Sequence, residues 1–428
     1  MCRTGTATGL WQAGRPPHCA LDPPHAACHE KRVSSFDDAL TQDLAVIREA
    51  GLLRELRRVD SPQGPRVTLG GRELLNFSSN DYLGFANHPA LKEAAIKAVE
   101  KFGAGAGASR LICGSLAPYH ELEEALAAFK KTEVALTFST GYAAALGTIG
   151  ALVGQDDVII LDKLVHASIV DAARLSRAKL RVFKHNDCAD LEDKLKWARE
   201  VQGPKSKAQG RVARVLVVTE SVFSMDGDLA PLRDLVELKD RYGAWLMIDE
   251  AHATGLFGVQ GRGLADAHEV SSRIEIQMGT LGKALGASGG YVCGSRALVD
   301  VLVNRARSFI FSTAPVPAAA AAARAGIELL QTTEGEERRV RLWSLIDQLK
   351  NALVGTRLKV PVVQSAIIPL IVGAEEDAVK LATRLREGGF YIPAIRYPTV
   401  ARGEARLRVT LTDAHTTDDL RELAAALR

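Results

Sequence analysis

The chain has 428 residues, of which 54 are Lys or Arg and 51 are Asp or Glu, so its formal net charge is only +3. Such a small bias does not point to nucleic acid or to a membrane surface as a partner. The 47% of hydrophobic and 25% of charged residues are typical of a globular protein, and the length corresponds to two or three domains at roughly 150 residues each.

Residues 1–34 are expected to form a mobile extension, because they contain two Pro-Pro pairs and lack the continuous apolar core of a signal peptide. Five potential metal ligands crowd this segment: His18, Cys19, His25, Cys28 and His29. Their spacing matches no standard zinc finger, so we expect no metal site there. The six cysteines are scattered without a C-x-x-C pair, which favours a reducing, cytoplasmic location.

Residues 35–75 are predicted to be an N-terminal helical segment, because apolar residues recur at helical spacing up to Leu52 and Leu53. A short strand at 74–77 follows, and Pro89 opens the next helix. Residues 76–315 then read as a large domain. Its strands are predicted from short apolar runs at 134–138, 158–161, 180–183, 215–219, 245–248, 276–278 and 290–293.

These runs are continuously apolar, which indicates strands buried on both faces. The fold class is therefore α/β, with a mostly parallel central sheet flanked by helices. From residue 316 the pattern changes to an Ala-rich helix at 318–331, a charged helix to about Leu353, and strands near 367–372 and 407–410. Residues 316–428 are predicted to be a smaller C-terminal α+β domain. The Ala-rich run at 315–323 stops at Arg324, far short of the roughly 18 apolar residues of a membrane helix.

Ligands of parallel sheets bind beyond the carboxyl ends of the strands, so the residues there are candidates for a site. Asp249 and His252 follow the run at 245–248, and Asp162, His166 and Ser168 follow that at 158–161. The motif Glu220-Ser-Val-Phe-Ser-Met-Asp-Gly-Asp228 follows the run at 215–219. Caps of helices and turns are the alternative for each motif alone.

Lys283 is the most telling residue of the sequence. It lies in Thr280-Leu-Gly-Lys283-Ala-Leu-Gly, where small neighbours leave its amine open to a flat ligand and desolvation would lower its pKa. This environment predicts a lysine that forms a Schiff base with a carbonyl group. A nucleotide P-loop is excluded because Gln277 and Ala284 stand where that motif needs Gly and Ser or Thr. The glycines of 103–107 likewise lack the dinucleotide-binding pattern.

A phosphate site is predicted at Gly141 and Tyr142, between a strand and a helix predicted over 143–153. Free backbone N–H groups at the start of a helix attract phosphate. A Schiff-base lysine, a strand-end Asp and a phosphate site together predict pyridoxal phosphate (PLP) as cofactor, since an Asp keeps the pyridine nitrogen of that cofactor protonated.

The motifs also resemble a known family. Asn80-Asp-Tyr-Leu-Gly84, His166-Ala-Ser168, Asp249-Glu-Ala-His-Ala-Thr-Gly255 and Thr280-Leu-Gly-Lys283 occur, with the motif at 220–228, in the order seen in α-oxoamine synthases. The resemblance covers the chain from about Phe36 to its C-terminus. It implies a fold-type-I PLP enzyme that condenses an amino acid with an acyl thioester, with loss of carbon dioxide.

The resemblance also implies roles for single residues. Lys283 resembles the lysine that holds the cofactor and exchanges the proton at Cα, and Asp249 the partner of the pyridine nitrogen. His166 resembles the imidazole stacked on the ring, and His252, with Ser224 nearby, the donor to the 3-oxygen. The expected phosphate ligands are Gly141, Tyr142 and Thr280, joined from a second subunit by Ser312 and Thr313, so a homodimer with a shared active site is implied. The expected substrate ligands are Asn80, Arg396 and Arg408.

Within the family, Arg396 in Ile395-Arg-Tyr-Pro-Thr and the motif Phe311-Ser-Thr-Ala-Pro favour L-alanine and a pimeloyl thioester, carried by coenzyme A or a carrier protein, as substrates. Arg110-Leu-Ile-Cys-Gly114 instead resembles members that transfer an acetyl group to glycine, which is the alternative. A PLP aminotransferase on the same scaffold is a second alternative, from outside the α-oxoamine synthases. A degenerate regulatory subunit is disfavoured because Lys283, Asp249 and His166 are all present.

Overall fold

A computed structural model describes residues 35–201 and 213–428. The predicted mobile extension and the possible zinc ligands at 18–29 lie outside these residues. The chain divides into a first unit that ends at Leu53 and a second compact unit, Arg54–Arg428.

The first helix, α1, is shorter than the sequence predicts. It spans Phe36–Glu49 and begins with a capping box in which the Ser35 side chain accepts from the Asp38 backbone. Gly51 has a φ of +68°, and Leu52 N–H donates to the Ile47 carbonyl, which is the bond of a Schellman motif. The prediction that the helix continues past Leu52 and Leu53 is therefore wrong, because a left-handed glycine ends it although apolar periodicity continues. The assignment of 35–75 as a separate segment stays a prediction.

The strands of the described residues are β1 Arg66–Leu69, β2 Arg72–Asn76, β3 Val134–Phe138, β4 Val158–Asp162, β5 Lys179–Phe183, β6 Val215–Glu220, β7 Trp245–Asp249, β8 Ile276–Thr280, β9 Gly290–Gly294, β10 Ile367–Gly373, β11 Phe390–Tyr391, β12 Ala394–Ile395 and β13 Ala405–Thr410. Seven of them form the central sheet in the order β3-β9-β8-β7-β6-β4-β5. Strands β8, β7, β6, β4 and β5 are parallel, and β9 is antiparallel to both neighbours. The predicted mostly parallel sheet is confirmed.

Both faces of this sheet are buried, as the continuous apolar runs predict. Along β4, Val158 and Ile160 enter one hydrophobic cluster whereas Ile159 and Leu161 enter a second. Successive side chains of a strand point to opposite faces, so the two clusters are the cores on either side of the sheet. The strand ends are thereby held in fixed positions by packing on both faces.

The helices that follow α1 are α2 Pro89–Phe102, α3 Ala117–Lys130, α4 Gly141–Leu152, α5 Ala167–Ser176, α6 Cys188–Val201, α7 Leu232–Tyr242, α8 Leu264–Ala267, α9 Arg296–Arg305, α10 Arg307–Ile310, α11 Pro317–Leu330, α12 Thr333–Ala352, α13 Glu375–Glu387 and α14 Thr417–Ala426. Pro stands in the first turn of α2, α3 and α11, where its missing N–H costs nothing. The helices predicted at 318–331 and up to Leu353 correspond to α11 and α12.

Two smaller sheets complete the second unit. Strands β10, β13 and β12 form an antiparallel sheet from the C-terminal part of the chain, while β2 pairs in parallel with β11. A strand near the N-terminus thus shares a sheet with one near the C-terminus. The boundary predicted between residues 315 and 316 stays a prediction. None of the helices described is long and apolar enough to cross a membrane.

Candidate active site

A cavity of about 180 Å³ lies at the carboxyl ends of β6 and β7. Register pairs Glu220, the last residue of β6, with Asp249, the last of β7, and pairs Asp249 with Met278 of β8. Eight residues that the sequence predicts for a PLP site line this cavity: Gly141, Tyr142, His166, Ser224, Asp249, His252, Thr280 and Lys283. The structure thus brings together residues from five separate stretches of the chain.

Lys283 follows β8 in a tight turn in which the Gly286 N–H donates to its carbonyl oxygen at 2.8 Å. Its Nζ lies 2.7 Å from His252 Nε2. Burial lowers the pKa of the Lys283 amine to about 8, although the charges of Asp249 and Glu220 oppose this shift. At pH 7 roughly a tenth of this amine is therefore unprotonated, far more than for an ordinary lysine, and the unprotonated form is the one that attacks a carbonyl group.

Two buried carboxyl groups, those of Asp249 and Glu220, line the cavity. Burial raises the pKa of Asp249, whose Oδ1 accepts from the Ala251 N–H at 2.9 Å, although the nearby Lys283 cation opposes this shift. Burial and the charge of Asp249 raise the pKa of Glu220 to about 8, and its Oε1 has no hydrogen-bond partner among the described residues. A buried carboxylate gains stability from a cation, so Asp249 fits a protonated ring nitrogen.

Glu220 is a cavity residue that the sequence does not single out. It belongs to a motif quoted for the family resemblance. Its position at the end of a buried strand is a feature by which the sequence could have identified it as a site residue.

Two histidines, His252 and His166, line the cavity. His252 Nδ1 lies 2.6 Å from the Tyr82 hydroxyl, and burial, together with the Lys283 and Arg408 cations, holds the pKa of His252 well below its usual value. His166 is the N-cap of α5. Burial lowers the pKa of His166 as well. Both rings are thus neutral near pH 7, and each has one N–H and one acceptor nitrogen.

The start of α4 lies where the sequence predicts a phosphate site. Thr140 caps the helix by accepting from the Ala143 N–H, and the first N–H groups of any helix lack acceptors within it. A Cβ added at Gly141 would lie 3.6 Å from Thr280 Cβ, so glycine keeps open the space between the helix start and Thr280. This open space fits the phosphate group of PLP.

Asn80 and Arg408 adjoin the cavity as a pair. Arg408 lies on β13, its Nη1 donates to Asn80 Oδ1 at 3.0 Å and its Nε donates to the Ser224 carbonyl at 2.5 Å. Ser224 itself lines the cavity. The guanidinium is thus oriented by neutral oxygens and keeps its charge for an anionic ligand.

The remaining predicted site residues do not line this cavity. Thr313 forms a backbone bridge with Ser109, and Ser312 precedes it. Next to them Phe311 is 70% exposed and Ile112 is 79% exposed. Arg396 follows β12, and burial and the Arg54 cation lower its pKa. Ser312, Thr313 and Arg396 therefore lie outside the lining of this cavity.

The comparisons with known proteins agree with this geometry. The aminotransferase class I and II family matches residues 72–427. The chain belongs to this family. An 8-amino-7-oxononanoate synthase from Geobacter sulfurreducens is 49% identical over 91% of this chain and 97% of its own length. One from Anaeromyxobacter dehalogenans is 47% identical over 91% and 94%.

Solved structures of related enzymes also superpose on this chain. A serine palmitoyltransferase from S. paucimobilis, solved with a bound adduct of PLP and myriocin, superposes with a TM-score of 0.83 at 30% identity, over 91% of this chain and 96% of that one. An 8-amino-7-oxononanoate synthase from Francisella tularensis gives 0.69 at 28% identity, over 83% and 96%. The predictions of a fold-type-I enzyme, of PLP as cofactor and of a PLP-dependent acyltransferase of the α-oxoamine synthase family are confirmed.

Proposed function

We propose that this enzyme condenses L-alanine with a pimeloyl thioester to give 8-amino-7-oxononanoate, carbon dioxide and the free thiol, a step of biotin biosynthesis. The observation that carries the proposal is the amine of Lys283, with a pKa of about 8, which lies 2.7 Å from neutral His252 in the cavity that buried Asp249 also lines. The named relatives at 43–49% identity support the choice of substrates.

When bound, PLP supplies an electron sink for the electron pair left at Cα of the amino acid after proton loss. We assign the protein residues to the tasks around it. Asp249 would hold a proton on the pyridine nitrogen, His166 and His252 would contact the ring, and the N–H groups of Gly141 and Tyr142 with Thr280 would bind the phosphate. The Lys283 Nζ takes the Cα proton and later returns it.

Arg408 is the proposed ligand of the amino acid carboxylate. Its guanidinium has a fixed direction because Asn80 and Ser224 accept from it, and such a group binds a carboxylate through two parallel hydrogen bonds. Once the acyl group has joined Cα, the same carboxylate leaves as carbon dioxide.

The distal carboxylate of a pimeloyl group needs a second cationic site. Arg54 Nη2 donates to the Tyr397 carbonyl at 3.2 Å, next to Arg396 in the chain. Burial and repulsion by the Arg54 cation lower the pKa of Arg396, although the Glu375 carboxylate opposes this shift. An anion between them would relieve this repulsion. This pair supports a dicarboxylic acyl donor and assigns Arg396 to the substrate.

A homodimer with a shared active site is part of the proposal. Ser312 and Thr313 are assigned to the phosphate of the partner's cofactor, as the family resemblance implies. The exposed side chains of Phe311 and Ile112 beside them support burial of this surface against a second copy.

The glycine-dependent alternative is weakened by the structure around Arg110. This side chain pairs with Glu123 and is 7% exposed, and a Cβ at Gly114 would collide with the Ala108 carbonyl oxygen. Packing therefore explains Arg110 and Gly114 of the motif Arg110-Leu-Ile-Cys-Gly114 without reference to the amino acid substrate.

The decisive experiment measures thiol release by the PLP-loaded protein. Alanine, glycine and serine are each combined with pimeloyl-, acetyl- and palmitoyl-coenzyme A and with a pimeloyl-carrier protein, and product masses are recorded. Release with alanine and a pimeloyl donor alone is expected, and Lys283→Ala should abolish it. Release with glycine and acetyl-coenzyme A would overturn the assignment of substrates, and amine transfer without thiol release would indicate an aminotransferase.

A further inference from the structure

The hydroxyl of Tyr82 is buried between His252 and Asn80. The side chain is 0% exposed. Its Oη is 2.6 Å from His252 Nδ1 and 3.4 Å from Asn80 Oδ1. His252 contacts Lys283, and Asn80 contacts Arg408. Tyr82 therefore lies between His252, which contacts the proposed cofactor lysine, and Asn80, which contacts the proposed carboxylate arginine.

The donors and acceptors of this chain restrict where its protons lie. Asn80 Oδ1 only accepts, and it already receives an N–H of Arg408 at 3.0 Å. Burial raises the pKa of Tyr82, although the Arg408 cation and its hydrogen bond to Tyr82 oppose this shift, so the hydroxyl keeps its single proton while its oxygen accepts from Arg408. The distance of 2.6 Å to His252 Nδ1 favours donation to that nitrogen over donation to Asn80 at 3.4 Å.

We propose that Tyr82 is a positioning residue whose hydroxyl donates to His252 Nδ1 and so keeps the ring proton on Nε2, the nitrogen that faces Lys283. The inference rests on the proposed roles of Lys283 and His252. A neutral imidazole with Nδ1 accepting must carry its proton on Nε2. His252 then presents a donor toward the cavity, which suits an anionic oxygen on the cofactor.

In the cofactor-free protein, the charge of Lys283 determines which ring nitrogen of His252 carries the proton. An ammonium group only donates, so with charged Lys283 the Nε2 atom must accept and Nδ1–H must donate to the Tyr82 oxygen. With neutral Lys283 the Tyr82 proton is free to turn to Nδ1. The other charged or titratable groups that act on His252 are Arg408 and His166. The tautomer of His252 should therefore change with pH near 8, in step with Lys283.

The test begins with nitrogen NMR of cofactor-free protein in which only histidine carries ¹⁵N. A spectrum of His252→Gln assigns the two His252 signals by their absence. We expect Nδ1–H well below the Lys283 pKa and Nε2–H well above it, and Nε2–H at all pH values once PLP is bound. A proton that stays on Nδ1 in the loaded protein would overturn the proposal, and this measurement needs no substitution of Tyr82.

The second measurement uses Tyr82→Phe, which removes the hydroxyl and keeps the ring that packs in the core. Loss of the Nδ1 donor weakens the Nε2–H donor toward the cofactor oxygen, so the anionic form of that oxygen becomes less stable. The midpoint of the pH titration of the visible absorbance of the PLP-loaded variant should rise by at least about half a unit.

Tyr119→Phe is the matched control. Tyr119 is also buried, and its hydroxyl donates to the Pro315 carbonyl, away from the cavity lining. This variant should leave the titration midpoint and the His252 tautomer unchanged. Equal midpoints for wild type and Tyr82→Phe would refute the role of Tyr82. Failure of the wild type to bind PLP would instead refute the proposed function, and the cofactor-free NMR would still decide on Tyr82.

Discussion

The Nζ of Lys130 lies 2.6 Å from Glu250 Oε2, and both side chains are 1% exposed. Lys130 ends α3, whereas Glu250 stands between Asp249 and His252 of the cavity. The ammonium also donates to Thr254 Oγ1 and to the Arg262 carbonyl. This buried ion pair therefore fixes the segment that carries two of the proposed cofactor ligands.

Replacement of Lys130 by Met should destabilise the protein strongly. Removing one partner of a buried pair leaves an uncompensated charge, which costs about 3–5 kcal/mol. The free energy of unfolding of cofactor-free protein in urea checks this value. Lys131→Met is the control, because its ammonium is exposed and lies 3.8 Å from Asp266, and such surface pairs contribute about 0–1 kcal/mol. Equal losses for the two variants would contradict the proposed anchoring by Lys130.

Cofactor attachment should depend on pH through Lys283. Because only the neutral amine attacks an aldehyde, the rate constant for PLP attachment should rise up to about pH 8 and level off above it. Asp249 and Glu220 raise the pKa of this amine, so Glu220→Gln should move the midpoint to lower pH. Stopped-flow absorbance measures the rates. A wild-type midpoint near the ordinary value of lysine, about 10.4, would show that the amine is not desolvated.

The sequence predicted the central sheet and most of the cavity, and it missed contacts between distant residues. Apolar runs mark strands buried on both faces, and polar residues directly after them, such as Asp249, mark the site. In the sequence Tyr82 looks like an ordinary aromatic residue of the core. Its contact with His252 is hidden there because the two positions are 170 residues apart. The end of α1 was missed because Leu52 and Leu53 continue the apolar spacing beyond Gly51. Backbone conformation, rather than hydrophobicity, ends that helix.

Asp249→Asn should impair cofactor chemistry while keeping the shape of the side chain. The amide cannot balance a positive pyridine nitrogen, so turnover should fall roughly 100-fold or more, the order expected when a preorganised charge interaction is removed. PLP should also dissociate faster, which dialysis followed by absorbance measures. Asp300→Asn, on the exposed side of α9, is the control and should change neither quantity. Unchanged turnover of Asp249→Asn would remove Asp249 from the mechanism.

His185 should make the stability of the protein depend on pH. Burial lowers the pKa of this imidazole, but hydrogen bonds to Asp162 and Asp228, at 3.0 and 2.7 Å, outweigh burial and raise it to about 10. A group with a raised pKa in the folded state contributes its full stabilisation below its unfolded pKa and loses it as the pH rises through the folded value. The excess stability of wild type over His185→Gln should therefore shrink between about pH 6.5 and pH 10.

Urea unfolding at several pH values measures this difference. His120→Gln is the control, since His120 is exposed and bonds to Ser115; it should leave the pH dependence of the wild type intact. Asp162 accepts from the backbone N–H groups of Leu164 and Asn186 as well, and it lies four residues before His166. A charged His185 thus stabilises the turn that presents His166 to the cavity. A pH-independent difference between wild type and His185→Gln would mean that His185 is neutral in the folded protein and acts by packing alone.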